Sequence, residues 1–367
     1  MRILIDATNV AEGGGGIVTY LAGLLRGWSA AQFGDEITVV GSRALPAEIE
    51  LAECRRVRVL RLGLPLHASR VLVQQAVLPV VSRQQHPDVI LSLTPVVGLV
   101  PGPAPVVAVV HDLRYLRQPD DFGRAQRFYR TAAYRQGCRQ ADALIAVSQT
   151  TAEDAARAFA VAPSKLRTIH HGCDHVDSWP AAETHGTHAI AFAHWNNKRP
   201  DFAIRVWASL RYRLEGFDRH LHVCGVRSED APALARLARV AGVADLVSLH
   251  GYLPAQSFER LFSSAALLLM PSTFEGFGLP VLEAMRLGIP VVASRIPAIE
   301  EVAGDAAHLA DRDSADAFTV ECIRLLADES LRRETIERGR AHASGYTWER
   351  AAIQTRELLA AVRWRAA

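Results

Sequence analysis

Short, uninterrupted runs of apolar residues recur along this chain, and segments with apolar residues at helical spacing lie between them. Runs without polar alternation are typical of parallel strands that are buried on both faces. Strands that alternate with helices predict the α/β fold class, with doubly wound parallel sheets. The predicted strands are Arg2–Asp6, Ile37–Val40, Val57–Leu60, Val89–Leu91, Val106–Val110, Ala143–Val147, Ala189–Ala193, Leu221–Cys224, Leu246–Leu249, Ala266–Met270 and Val291–Ala293.

The length of 367 residues suffices for two such domains at about 150 residues each. Between Asp177 and His188 the apolar periodicity lapses in a polar, proline-containing passage, which is typical of a linker. We therefore predict a first Rossmann-like domain at residues 1–178, a linker at 179–188 and a second Rossmann-like domain at 189–345. The amphipathic tail, residues 346–367, is a predicted helix that could pack across either half, including back onto the first domain.

Composition and charge exclude several classes of protein. The 41 Lys and Arg residues and 39 Asp and Glu residues give a net charge of +2, which argues against a general nucleic-acid-binding protein. No apolar run reaches the roughly 18–20 uninterrupted residues that span a bilayer. Met1 leads directly into a strand-like run without a signal peptide, so we expect a cytoplasmic protein. Five cysteines without CxxC spacing are predicted to be free thiols: Cys54, Cys138, Cys173, Cys224 and Cys322.

The segment from Leu267 to Ser294 predicts a strand, a glycine-rich turn, a helix and a second strand. Pro280 suits a first helical turn and Gly288 a C-terminal cap, so we expect the helix to start just after Gly278. Free backbone N–H groups and the positive end of the helix dipole can hold a pyrophosphate at that end. The turn follows a parallel strand, at the sheet edge where ligands bind.

Two glutamates lie in this segment, Glu275 in the turn and Glu283 in what we predict to be the first turn of the helix. Both could face one cleft, where ionised carboxylates would accept hydrogen bonds from the hydroxyl groups of a hexose or a ribose. The alternatives are a solvated loop charge for Glu275 and a capping glutamate for Glu283. The residues by themselves leave these alternatives open.

Beyond this chemistry, the ordered series of motifs resembles the retaining glycosyltransferases of family 4. The donor-site signature is EGFGLPVLEAM from Glu275, followed by GIPVVAS from Gly288. The resemblance extends over most of the chain, because matching segments occur in the family's order. They are GGI at 15–17, VHDL at 110–113, ADALIAVSQTTAEDA from Ala141, HGCD at 171–174, HGYLP at 250–254 and PAIEEVAGDAAHL from Pro297.

The resemblance implies the GT-B fold, in which two Rossmann-like domains face each other across a cleft. The first domain would bind the acceptor and the second the nucleotide sugar. By this resemblance Glu275 would hydrogen-bond the transferred sugar, Glu283 would bind the ribose and Lys198 would neutralise the diphosphate. Lys198 is one of only two lysines among 41 basic residues. The loop residues implied in donor binding are Gly276, Phe277, Gly278 and Leu279.

In the first domain, the resemblance implies a histidine near the reacting sugar and phosphate, and His111 stands at that position. A strand-end histidine bonded to backbone is the alternative. Gly15 and Gly16, assigned to donor binding, could bring the backbone close to the diphosphate or to the acceptor, with an ordinary turn as the alternative. No divalent metal or other cofactor is expected, and the His- and Cys-containing run at 170–175 is not expected to bind metal, because neighbours on an extended chain point in alternate directions.

The chain departs from the family pattern just before Lys198. Family members commonly supply an arginine there, whereas this sequence has the stretch 193–197, Ala-His-Trp-Asn-Asn. Arg199 could compensate, or His194 or Asn197 could contact phosphate instead. A solvated loop lysine is the alternative for Lys198.

The segment from Arg114 to Arg139 contains seven arginines and two aspartates, interleaved with aromatic residues. A solvated helix face is the default interpretation. The alternative is a patch that recruits the chain to anionic lipid or to a lipid-linked acceptor.

Taken together, these features predict a retaining, metal-independent glycosyltransferase. It would move a sugar from a nucleoside diphosphate sugar to a hydroxyl acceptor on a glycan, a glycolipid or a natural product. The alternatives are a GT-B sugar-nucleotide epimerase, which needs no acceptor, and a non-catalytic sugar-nucleotide-binding subunit. The sequence does not assign the nucleotide base, the sugar or the acceptor. It does not assign an oligomeric state either.

Overall fold

A computed structural model describes residues 1–8, 10, 15–42, 45, 57–62, 78–97, 104–180 and 186–366. The chain divides into two compact units, which we call the first and the second unit. The first unit comprises Met1–Gly172 together with Thr347–Ala367, and the second comprises Cys173–Tyr346.

The first unit is built on a parallel sheet of seven strands in the order β3-β2-β1-β4-β5-β6-β7. The chain runs outward from β1 to β3 and then returns to β4 on the other side of β1. The strands are β1 (Arg2–Ala7), β2 (Glu36–Ser42), β3 (Val57–Leu62), β4 (Val89–Ser92), β5 (Val106–Val110), β6 (Ala143–Ala146) and β7 (Leu166–Thr168). The helices are α1 (Gly16–Ala30), α2 (Leu78–Gln85), α3 (Arg114–Arg117), α4 (Arg124–Gln140) and α5 (Gln149–Phe159).

The second unit repeats this scheme on six parallel strands in the order β10-β9-β8-β11-β12-β13. The strands are β8 (Ala189–Phe192), β9 (Leu221–Cys224), β10 (Val247–His250), β11 (Leu267–Met270), β12 (Val291–Ser294) and β13 (His308–Ala310). The helices are α6 (Pro200–Arg213), α7 (Ala231–Val240), α8 (Ala255–Ser263), α9 (Leu279–Leu287), α10 (Pro297–Ala303), α11 (Ala315–Ala327) and α12 (Glu329–Ala343). Trp207 and Phe318 are fully buried in its core. The predicted α/β class with two doubly wound parallel sheets is confirmed.

The last helix, α13 (Trp348–Ala366), packs on α1 of the first unit through glycines. A Cβ atom at Gly23 would lie 2.1 Å from the Trp348 ring, and one at Gly27 would lie 2.1 Å from the Trp348 carbonyl oxygen. Farther along α13, Arg356 Nε donates to Asp35 Oδ2 at 2.6 Å. The tail that the sequence predicted as a helix able to pack across either half therefore lies against α1.

We expect Gly27→Ala to lower the free energy of unfolding by about 3 kcal/mol, because the added methyl group would clash with rigid backbone rather than with a flexible side chain. Urea denaturation would measure the change. Gly34→Ala is the matched control, since a Cβ atom there meets no atom of the described part of the chain within 4 Å. Equal stability of the two variants would contradict the close approach of α13 to α1.

The boundary between the units falls between Gly172 and Cys173, six residues before the predicted end of the first domain. Residues 173–178 fold with the second unit, because two of their side chains bond to α9: His175 to Glu283 and Asp177 to Arg286. The predicted linker, 179–188, also falls within the second unit, although residues 181–185 lie outside the described residues.

The described residues also bear on membrane-spanning helices and on the cysteines. No helix in this part of the chain combines the length and apolar character needed to cross a membrane. Four of the cysteines that were predicted to be free thiols are free and buried, while Cys54 lies outside the described residues. The four are Cys138, Cys173, Cys224 and Cys322.

Candidate active site

In the second sheet, the candidate site begins at the switch in strand order. Strands β8 and β11 are neighbours, and the chain leaves them for opposite sides of the sheet, which is where parallel α/β folds bind ligands. The loops that follow these strands are joined by hydrogen bonds. Thr273 N donates to the carbonyl oxygen of Asn197 at 2.8 Å, and Asn197 Nδ2 donates to the carbonyl oxygen of Phe274 at 2.8 Å. The two loops therefore form one bonded surface.

Lys198 and Glu275, one from each loop, form an ion pair on this surface. Lys198 Nζ donates to Glu275 Oε1 at 2.7 Å, and the two side chains are only 7% and 11% exposed. A charge withdrawn from water to this extent needs a partner, and each side chain provides the other's. Neither residue is a solvated loop charge, and the structure brings together two residues that the sequence placed 77 positions apart.

Helix α9 starts at Leu279, directly after the glycine-rich turn, as the sequence predicted. Gly278 is the N-cap with φ of +99°, and a Cβ atom there would lie 2.5 Å from Ile299 Cδ1. Pro280 lies in the first turn, and Gly288 caps the other end in the left-handed region. Pro280 has no N–H, and the Val281 N–H donates to the carbonyl oxygen of Gly278 at 2.9 Å, so this helix end would attract an anion mainly through the positive end of its dipole.

Glu283 is the fifth residue of α9, so the prediction that it lies in the first turn and the capping alternative are both wrong. Its side chain is buried, and Oε1 lies 3.0 Å from Nε2 of His175. The next turn of the helix carries Arg286, which forms two hydrogen bonds with Asp177, at 2.7 and 2.6 Å. This bonding to Arg286 lowers the pKa of Asp177. The sequence did not indicate that His175 would pair with Glu283, because the two residues are separated by 108 positions.

Arg199 is directed away from the lysine loop, so it does not take the place of the missing arginine in this structure. Its guanidinium donates to the carbonyl oxygen of Arg312 at 2.6 Å and to Asp313 Oδ1 at 3.1 Å, and it lies over the Phe202 ring. The Asn197 amide, another suggested substitute, is bonded to the opposite loop.

Arg227, in the loop after β9, was not among the predicted site residues. Its Nη2 lies 3.4 Å from Asn196 Oδ1, so this arginine reaches the loop that carries Lys198. Its Nε is bonded to Asp230 at 2.6 Å. The residue comes from a different strand connection, which is why a search of the positions just before Lys198 could not find it.

His111 follows β5 in the first unit, as predicted. Its Nε2 atom is inaccessible and has no hydrogen-bond partner among the described residues, while the backbone of Leu93 bonds to the ring. The ring packs edge-on against Tyr20, with ring centroids 5.0 Å apart. Burial lowers the pKa of His111 to about 4, against a smaller opposing effect of Asp112, so the imidazole is neutral at neutral pH.

The lowered pKa of His111 makes stability depend on pH in a defined direction. Between pH 6.5 and pH 4 the unfolded chain binds a proton at this residue and the folded chain does not, so acidification lowers the free energy of unfolding. We expect His111→Asn to lose less stability than the wild type between pH 7 and pH 5 in urea titrations. Between pH 7.5 and pH 8.5 the two pH dependences should coincide. Parallel curves at acidic pH would contradict the burial of a neutral imidazole.

Gly15 and Gly16 lie at the start of α1, after β1. Gly15 is the N-cap with φ of +105°, and a Cβ atom at either position would meet no atom of the described residues within 4 Å. The positive φ accounts for a glycine at position 15. The preceding glycines of the same loop, 13 and 14, lie outside the described residues.

The side chains at 170–175 that superficially resemble metal ligands contact different neighbours. The His171 ring stacks on Trp348 with centroids 5.6 Å apart, Cys173 Sγ lies 3.5 Å from the carbonyl oxygen of Ala343, and His175 bonds to Glu283. Within the described ranges, no group of three His, Cys, Asp or Glu side chains is arranged to hold a metal ion.

Two family models match the chain. The model described as Glycosyltransferase Family 4 matches residues 14–177, and the model described as Glycosyl transferases group 1 matches residues 187–328. Among similar proteins, the O-antigen chain mannosyltransferase B of Escherichia coli is 41% identical over 105 residues, which are 29% of this chain and 28% of that protein. The MMP alpha-(1->4)-mannosyltransferase of Mycolicibacterium hassiacum is 31% identical over 221 residues, 59% of this chain and 53% of that protein. The chain thus spans about half the length, or less, of these relatives.

Solved structures share the fold over essentially the whole chain. Sucrose-phosphate synthase from Thermosynechococcus elongatus superposes with a TM-score of 0.81 at 18% identity, covering 100% of both chains. HepE of Anabaena in complex with UDP-glucose superposes with a TM-score of 0.77 at 19% identity, covering 98% of this chain and 100% of that one. With the family models on both sides of the unit boundary, these findings show that the chain belongs to the group 1, family 4 glycosyltransferases and has their GT-B fold.

Proposed function

We propose that this chain is a retaining glycosyltransferase that moves a sugar from a nucleoside diphosphate sugar to a hydroxyl acceptor. The observation that carries the proposal is the Lys198–Glu275 ion pair on the two bonded loops at the sheet switch. The pair supplies a cation for a diphosphate and a carboxylate for sugar hydroxyl groups, next to the positive end of the α9 dipole.

In the proposed mechanism Lys198 and the α9 N-terminus stabilise the departing diphosphate, which carries most of the charge that develops in the transition state. Glu275 accepts hydrogen bonds from the transferred sugar, and Glu283 accepts them from the ribose. Since these two carboxylates are assigned to donor binding, neither acts as a nucleophile. The acceptor oxygen therefore attacks the anomeric carbon directly, from the side of the leaving group. The new C–O bond forms as the bond to the phosphate oxygen breaks, and the acceptor proton passes to that phosphate oxygen.

Other residues complete the proposed donor site. The backbone of Gly276, Phe277, Gly278 and Leu279 contacts the sugar and the diphosphate. In the first unit we assign a contact with the transferred sugar to neutral His111, and a backbone contact with the donor to Gly15 and Gly16. No divalent metal is needed, because Lys198 and the helix N-terminus supply the positive charge.

A binding and turnover panel tests this function. UDP, GDP, dTDP and ADP with their hexose conjugates are tested by thermal shift, with magnesium and with EDTA. UDP-glucose and GDP-mannose come first, because the neighbour HepE was solved with UDP-glucose and two relatives are named mannosyltransferases. Stabilisation by one nucleotide that survives EDTA, with sugar transfer at the same anomeric configuration, supports the proposal. An epimerised donor sugar without acceptor, or a requirement for metal, would contradict it.

We also propose that α4 docks on anionic lipid, the second of the two interpretations of the basic segment. Helix α4 carries five arginines and no acidic residue. Arg124, Phe128, Arg135 and Arg139 follow one another at helical spacing on its exposed side, and Phe128 is 78% exposed. A cationic face with an exposed aromatic ring suits the interface of a negatively charged membrane.

Co-sedimentation with vesicles tests the lipid contact. At about 1 kcal/mol per arginine, reversing Arg124, Arg135 and Arg139 to Glu should weaken binding to phosphatidylglycerol vesicles at least about 100-fold. Reversal of the exposed arginines Arg236, Arg239 and Arg333 in the second unit is the control with the same change in charge. Equal binding of both variants, or strong binding to phosphatidylcholine alone, would disprove the contact.

A further inference from the structure

The Glu283 carboxylate lies on a buried stretch of α9. Val281, Leu282, Ala284 and Met285 around it are also buried, so this part of the helix offers mostly apolar surroundings. A carboxylate in such surroundings is costly unless a hydrogen-bond donor accompanies it. Nε2 of His175, 3.0 Å from Oε1, is that donor.

The chemistry of the pair fixes the direction of the hydrogen bond. An ionised carboxylate only accepts hydrogen bonds, so Nε2 of His175 must carry a hydrogen in this contact. Both side chains are about 10% exposed, which shields the bond from competition with water. A hydrogen bond to a charged group in a shielded position holds its partner more firmly than one on the surface does.

His175 is itself held in place by contacts that do not involve Glu283. Its turn, Asp174–Ser178, is fastened to α9 by the two hydrogen bonds between Asp177 and Arg286. The residue before the turn, Cys173, donates its backbone N–H to the carbonyl oxygen of Tyr346 at 3.0 Å. The imidazole is therefore presented to Glu283 by a turn that is anchored independently.

We propose that His175 is a positioning residue for the nucleoside part of the donor. It holds Oε1 of Glu283, which leaves the rest of the carboxylate to accept a ribose hydroxyl. This inference rests on the proposed assignment of Glu283 to the ribose. It makes the residues just after the unit boundary, which the sequence placed in the first domain, a working part of the donor site.

The test compares a ligand that contains a ribose with one that lacks it. Calorimetry measures the Kd of whichever of UDP, GDP, dTDP and ADP binds the wild type, and the Kd of inorganic pyrophosphate. In His175→Ala we expect the nucleotide Kd to rise about tenfold, because roughly one hydrogen bond to a charged group is lost. The Kd of pyrophosphate should not change. In turnover, the donor KM should rise while kcat stays near that of the wild type. His175→Gln, whose amide can also donate, should recover most of the nucleotide affinity.

Two further variants separate positioning from a structural role. Asp177→Asn weakens the other attachment of the same turn without touching Glu283, and we expect it to leave the ratio of nucleotide to pyrophosphate affinity unchanged. Glu283→Gln should weaken nucleotide binding alone. The inference would be overturned if His175→Ala lost affinity for the nucleotide and for pyrophosphate equally. It would also be overturned if His175→Ala kept full nucleotide affinity while Glu283→Gln bound the nucleotide more weakly. Full nucleotide affinity in Glu283→Gln would instead overturn the ribose assignment and this inference with it.

Discussion

Glu275→Gln is expected to lower kcat by about 1000-fold while the protein stays folded. The carboxylate is assigned to the transferred sugar, and removing one preorganised polar contact to a reacting group typically costs about 100-fold to 1000-fold in kcat. The variant should still bind the nucleoside diphosphate without its sugar at least as tightly as the wild type does. The reason is that Lys198 Nζ, now bonded to Glu275 Oε1 at 2.7 Å, would be released to the diphosphate. Turnover and nucleotide Kd are measured on the same preparation.

The matched control for this variant is Glu300→Gln, because Glu300 is a glutamate of the same unit that is paired with Arg295 on the surface. Near-wild-type turnover in Glu275→Gln would contradict the assignment of Glu275 to the sugar. Loss of nucleoside diphosphate binding would show instead that the carboxylate supports the diphosphate part of the site.

Lys198→Met is expected to have two separate effects, one on function and one on stability. Loss of the cation should weaken diphosphate binding and lower kcat by about 1000-fold, since the positive charge stabilises the leaving group. Glu275 would then be buried without its cation, which should lower the free energy of unfolding by about 3 kcal/mol. Urea denaturation and nucleotide calorimetry measure the two effects separately.

The double variant Lys198→Met/Glu275→Gln tells these effects apart. It removes both charges, so we expect it to recover most of the lost stability because no unpaired buried charge remains. Activity should stay as low as in the single variants. If the double variant were as unstable as Lys198→Met, the ion pair would not be the source of the destabilisation. If it regained activity, Lys198 would not stabilise the leaving group.

The sequence predicted the elements that local patterns specify. The strands Val106–Val110 and Leu221–Cys224 are found at the predicted residues, and α9 starts at Leu279 as its glycine, proline and cap pattern indicates. These predictions succeed because a continuous apolar run, a fixed φ at proline and a positive φ at glycine act within a few residues. The three-residue strand His308–Ala310 was not predicted, since so short a run carries almost no periodicity.

Other predictions failed where the answer depends on distant partners. The domain boundary was placed at residue 178 because polarity rises there, but the bonds of His175 and Asp177 to α9 carry the chain into the second unit at Cys173. Arg199 was a candidate to replace the missing arginine, yet its guanidinium bonds to Arg312 and Asp313, more than a hundred positions away. A residue's nearest neighbours in the sequence did not reveal these contacts.

The sequence by itself determined the alternation of buried strands and helices, the glycine-rich turn before α9, and, by resemblance, the family and its candidate residues. Only the tertiary structure decided which side chains meet: Lys198 with Glu275 across 77 positions, and His175 with Glu283 across 108. The physical reason is the order of strands in the sheet. Apolar runs specify that a segment is a buried strand, but hydrogen bonding between strands places β8 beside β11 and so brings their loops together.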